Sequence, residues 1–174
     1  MATDDPSLIQ AGVNEYPDPS NPAAVDVQAW WEILPAVVKD ISSVSVNTGD
    51  EVTVTIWELS GTTWEINLTD DTDNQSFTTP PEQYSGLGSS AEWIVEATTE
   101  CRFRRRTVAL APYSPPVVFS GLGMTGPQAT SLEAITMVQG LGEVSTPSAL
   151  SSPGFTLTYT GSAPAFGRRT APLD

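Results

Sequence analysis

The sequence predicts an all-β protein, an antiparallel sandwich, on three observations. Apolar and polar residues alternate in run after run, which is the period of a strand with one face buried. The 15 prolines and 13 glycines fall mostly between those runs, as an architecture of many turns requires. The length of 174 residues suffices for one sandwich whose core stands without disulfide staples.

The elements follow in chain order. Leu8 to Asn14 alternates so that Gln10 shares a face with Leu8, Gly12 and Asn14. Tyr16 to Pro22 reads as a loop. In Ala29-Trp30-Trp31-Glu32-Ile33-Leu34-Pro35, an extended chain sends Trp30 and Glu32 to one face and Ala29, Trp31 and Ile33 to the other. One tryptophan is therefore expected in the core and its neighbour along a groove. Val44 and Val46, a turn at Asn47-Thr48-Gly49-Asp50, then Val52, Val54 and Ile56 predict a hairpin. After a turn at Ser60-Gly61-Thr62, Trp64, Ile66 and Leu68 alternate again, and Asp70 to Asn74 is a polar turn before Ser76-Phe77-Thr78. Thr79 to Ser90, rich in Pro, Gly and Ser, reads as a loop. Further strands are expected at Glu92 to Val95, Val117 to Phe119 and Phe155 to Tyr159, with a short element of uncertain type within Leu132 to Gly140. In the Glu92 segment, Glu92, Ile94 and Glu96 lie opposite Ala91, Trp93 and Val95.

The charge excludes whole classes of function. Seven Lys+Arg stand against 21 Asp+Glu, a formal net charge of -14, and there is no histidine and one cysteine. Nucleic acid and anionic lipid both need basic residues for their phosphates, so neither is an expected partner. Without imidazole there is no Ser-His-Asp or Cys-His relay and no histidine-based zinc site. Cys101 has no partner for an internal disulfide and reads as a small packing residue. Arg102, Arg104, Arg105 and Arg106 crowd together and read as a solvated strand or loop that balances nearby acids. No apolar run is long enough to span a membrane, and Met1-Ala2-Thr3-Asp4-Asp5-Pro6 lacks the regions of a signal peptide. Chemistry is left to carboxylates, amides, hydroxyls and aromatic faces.

Three segments, in this order, resemble the glutamic peptidases, the eqolisins. They are Ile9-Gln10-Ala11-Gly12-Val13, Ala29-Trp30-Trp31-Glu32 with Pro35, and Ser90-Ala91-Glu92-Trp93-Ile94-Val95-Glu96. Gly49-Asp50 and Leu110-Ala111-Pro112-Tyr113 fall where that family has a Gly-Asp hairpin and a Phe-Ala-x-Phe-like segment. The resemblance covers about Leu8 to Tyr159, and the Ser-Ala-Glu-Trp-Ile-Val-Glu segment is its most specific part. It implies a lectin-like, concanavalin A-like jelly-roll sandwich of two bent sheets, with Gln10 and Glu92 as catalytic dyad in its groove. Trp30, Glu32 and Asn14 are then substrate-binding or supporting groups. The family usually has Asp where this chain has Asn14, an amide that hydrogen-bonds but brings no charge.

The implied chemistry is acid endopeptidase action on a polypeptide substrate. An ionised Glu takes a proton from water, and a Gln amide holds that water and donates to the developing oxyanion. It needs no cofactor and no metal. The resemblance further implies a secreted protein, and a monomer is expected. It also implies strands before the Gln strand, where only nine residues stand here, so the domain is expected to be N-terminally truncated and weakly active or inactive. Residues 1–7 read as a disordered leader, 8–162 as a single sandwich domain and 163–174 as a tail.

Weaker signals remain. The oxygens of Asp70 to Asn74 cluster, but without the Gly and terminal Glu of a calcium loop the segment reads as a polar turn. Asn67-Leu68-Thr69 and Asn74-Gln75-Ser76 fit the glycosylation pattern. The alternative to an enzyme is a non-catalytic sandwich, either structural or stacking sugars on Trp30, Trp57 and Trp64.

Overall fold

The structure, a computed structural model, describes residues 7–17, 20–21, 24–97, 99–100, 106–107, 109–125, 133–150 and 154–161. Cys101, Arg102, Arg104, Arg105 and the segments read as leader and tail, apart from Ser7, lie outside the described residues. The described elements are all antiparallel strands, in two compact units, Met1–Gly88 and Ser89–Asp174.

The first unit contains β1 (Ile9–Pro17), β2 (Val25–Ile33), β3 (Lys39–Asp40), β4 (Val52–Ser60), β5 (Thr63–Asp70), β6 (Gln75–Thr78) and β7 (Glu82–Gln83). One sheet runs β1-β2-β3; the other runs β4-β5-β6, with β7 also on β5. Their inner faces meet in a core of Ala29, Trp31, Ile41, Val44, Val46, Ile66 and Leu68, flanked by Ile9, Ala11, Val27, Val52, Ile56 and Phe77. Ile66 and Leu68 have no solvent exposure. Each contributes about 1.5–3 kcal/mol by leaving water. The predicted alternation in Trp64 to Leu68 is thus the alternation of burial along β5.

Pairing corrects one expectation. Val44 and Val46 do not form a hairpin with Val52 to Ile56. β4 instead pairs with β5 from Val52↔Asp70 to Ser60↔Thr63, through a two-residue turn in which Gly61 supplies a φ of 59°. The Asn47 to Asp50 turn does form, with the Asp50 carboxylate accepting from the Asn47 backbone and side-chain amides at 2.7 and 3.2 Å. The backbone leading into it is engaged elsewhere, since Ser45 N donates to Gln75 Oε1 at 3.1 Å. Val44 and Val46 still point inward, so their alternation was a pattern of burial without a ladder.

The second unit contains β8 (Thr99–Glu100), β9 (Arg106–Thr107), β10 (Val117–Phe119), β11 (Met137–Gln139), β12 (Gly142–Pro147) and β13 (Phe155–Tyr159). β8 pairs with β9, and a four-stranded sheet runs β10-β13-β12-β11. Leu157 is buried, Phe119 stacks on Phe155 at 5.0 Å, and Tyr113 meets Tyr159 edge-on at 5.7 Å. The Tyr113 and Ser145 hydroxyls share a 2.6 Å hydrogen bond, which satisfies a serine that is almost wholly buried.

Glu92 to Val95 is not a strand; residues 84–97 carry no regular secondary structure. The alternation persists all the same, with Trp93 and Val95 partly buried and Glu92, Ile94 and Glu96 exposed. Side chains can sort by polarity along a segment whose backbone joins no ladder.

Candidate functional site

The site is built on β1 and β2. These strands are matched over nine pairs, from Ile9↔Ile33 to Pro17↔Val25. Directly opposed residues of an antiparallel ladder share a face. The pairs Gln10↔Glu32, Gly12↔Trp30 and Asn14↔Gln28 therefore place Gln10, Asn14, Trp30 and Glu32 together on the face away from the core. The opposite face carries Ala11, Ala29 and Trp31 into the core, with Trp31 only 5% exposed. Four of the five residues singled out in the sequence are thus neighbours, fixed by one register.

Gly12, Trp30, Asn14 and Gln28 shape that face and its anchoring. Gly12 lies opposite Trp30, and a Cβ built on it would rest 3.7 Å from Trp30 Cζ2. That is ordinary van der Waals contact, and a residue larger than Ala would push against the indole. Trp30 Nε1 is buried without a hydrogen-bond partner, a donor lacking an acceptor within the protein. Asn14 Nδ2 donates to the Tyr16 hydroxyl at 3.0 Å, which orients the amide. Gln28 Nε2 donates to the carbonyls of Ala29 and Ile41 at 2.8 and 3.3 Å and ties β2 to the chain after β3.

Two neighbours on this face went unread in the sequence. Asp40 pairs with Trp30 across β2 and β3, so a second carboxylate joins Glu32. A strand of two residues shows too little periodicity to be found. Beyond it, a cavity of about 800 Å³ is lined by Tyr16, Asp26, Gln28, Asp40 and Asn47 among others, and it extends the polar face past Asn14. Below the face, Lys39 covers the Trp31 ring at 4.1 Å and lies 3.6 Å from Glu82 Oε1.

Glu92, the fifth residue, belongs to the second unit and is exposed. It stands in the irregular segment of residues 89–97, between partly buried Trp93 and exposed Ala91.

A family model, that of the Peptidase A4 family, matches residues 2–159 and so runs through both units. The chain belongs to the peptidase A4 family. It is a hydrolase of the glutamic endopeptidase type, and its substrate class is polypeptide. The A4 chain is similar in fold to aspergilloglutamic peptidase from Aspergillus niger, with a TM-score of 0.72 at 24% identity, over 88% of this chain and 89% of that one. It is likewise similar to scytalido-glutamic peptidase solved with a transition state analog inhibitor, with a TM-score of 0.71 at 22% identity, over 89% of this chain and 77% of that one. A second structure of the latter, with a peptide-based transition state analog, gives 0.70 at 21% identity. No curated protein sequence matches the chain. The expected all-β sandwich is the fold of this A4 protein. Among the described residues no helix is long and apolar enough to cross a membrane.

Proposed function

We propose that this A4 chain is a secreted, monomeric acid endopeptidase that cleaves peptide bonds through Gln10 and Glu92. The observation that supports this most is the single face shared by Gln10, Asn14, Trp30 and Glu32 in a chain of this family. In the reaction, the Glu92 carboxylate takes a proton from a water held by the Gln10 amide, and that water attacks the scissile carbonyl. The Gln10 amide then donates to the oxyanion of the tetrahedral intermediate, and Glu92 returns the proton to the leaving amine. Atoms balance: water supplies OH to the new carboxyl and H to the new amine. Trp30 holds a substrate side chain against its ring. A carboxylate base suits acidic solution, where imidazole would be locked as a cation.

The test is cleavage of a denatured protein at pH 3–5. Glu92→Gln and Gln10→Ala are each expected to lower kcat by on the order of 10² to 10⁴, with the melting temperature little changed. Cleavage that survives both substitutions would overturn the dyad.

A further inference from the structure

We infer that Asp50, Asp70 and Asp73 form a calcium site that pins together two turns at one end of the first unit. One carboxylate oxygen from each lies within 4.8 Å of one from each of the others. Proximity of acids alone would be a solvated turn. Asp70 is what makes this cluster different.

Asp70 has no solvent exposure. Its Oδ1 accepts from the backbone amides of Thr72 and Asp73 at 2.9 and 3.2 Å, which is the ordinary work of an aspartate that shapes a turn. Its Oδ2 is buried with no partner. An ionised oxygen taken out of water and left unpaired is costly, so such groups are paired, protonated or bound to metal. Within residues 1–88 no side-chain cation is to hand, since Lys39 is the one Lys or Arg there and it lies against Glu82.

The protein frame around the three acids is fixed. Glu51 O accepts from Asp71 N at 2.8 Å, and Glu51 N donates to Thr72 Oγ1 at 2.9 Å, so the 47–50 and 71–74 turns are tied beside each other. Asp71 is held off to the side, where its Oδ2 accepts from Thr53 Oγ1 at 2.6 Å. Asp50 is oriented by its bonds from Asn47. The result is a set of hard oxygen donors from two irregular turns. Calcium takes such sets readily, because it tolerates variable geometry and fills its shell with water, whereas magnesium demands a near-ideal octahedron. The weaker calcium sites of extracellular modules bind with Kd on the order of 10⁻⁴–10⁻³ M, the range expected here.

The test uses the full chain, stripped with a chelator and melted at pH 6.5 in 0–10 mM CaCl₂ against NaCl of equal ionic strength. The expected result is a saturable rise in Tm of roughly 3–10 °C, with a smaller rise in MgCl₂. Asp73→Asn, at an exposed position, and Asp50→Asn, whose amide oxygen can still accept from Asn47, are expected to fold and to lose most of the rise. No rise beyond the NaCl control overturns the site, and so does a rise undiminished in both variants. A magnesium effect as large as that of calcium overturns the choice of ion.

Discussion

Trp30 and Trp31 are adjacent in sequence and opposite in use. Trp31 is packed among Ala29, Ile41 and Ile66 and capped by Lys39, so its indole works as core. Trp30 stands beside Glu32 across from Gln10 and Gly12, with an indole N–H that no protein group accepts. The same strand thus stabilises the first unit with one face and, in the function proposed above, meets substrate with the other. A residue's role on β2 depends on parity more than on type.

Substitutions can break this contrast, and their effects are expected to fall in order. Trp31→Ala empties a core position and should cost about 3–5 kcal/mol of stability, read as a lower midpoint in urea unfolding. Trp30→Ala should leave that midpoint nearly unchanged while raising KM about 3- to 10-fold, the loss of roughly 0.5–1.5 kcal/mol of aromatic contact with substrate. A large drop in stability from Trp30→Ala would mean that both tryptophans are structural. Lys39→Ala should have the smallest effect, about 0.5–1 kcal/mol in urea unfolding. The pair it makes with Glu82 is half-exposed and screened, and its place over the Trp31 ring supplies most of the loss.

The sequence was legible where facing alone mattered. Period-two alternation put Gln10 with Asn14 on one face of their strand and Trp30 with Glu32 on one face of theirs, because a pleated strand alternates whatever it pairs with, while the pairing of β1 with β2 made the two faces one. It was misleading where partner choice mattered. Val44 and Val46 alternate like a strand, but a side chain, Gln75 Oε1, takes the Ser45 amide that a hairpin would have used. Ladder partners are decided by groups distant in sequence, which a local pattern does not record. β12 went unread for another reason: Gly142-Glu143-Val144-Ser145-Thr146-Pro147 buries a serine where an apolar residue would have signalled a strand. The hydroxyl of Tyr113, 32 residues earlier, makes that burial possible. The segment from Asp70 to Asn74 is the polar turn that the sequence predicts, and what the sequence alone does not show is Asp50 folded beside it and Asp70 sealed from water.

The nine matched pairs of β1 and β2 also set what kinds of mutation the gene can absorb. Exchanging a residue on the outer face alters one contact and leaves the others in place. Losing or gaining a single codon inside Ile9–Pro17 shifts every later position by one, and a shift of one reverses which side each residue faces. Deleting Ala11, for example, would either turn Gln10 inward or carry Asn14 away from the face it shares with Trp30. In this stretch point substitution can tune the surface, but length is not free to vary.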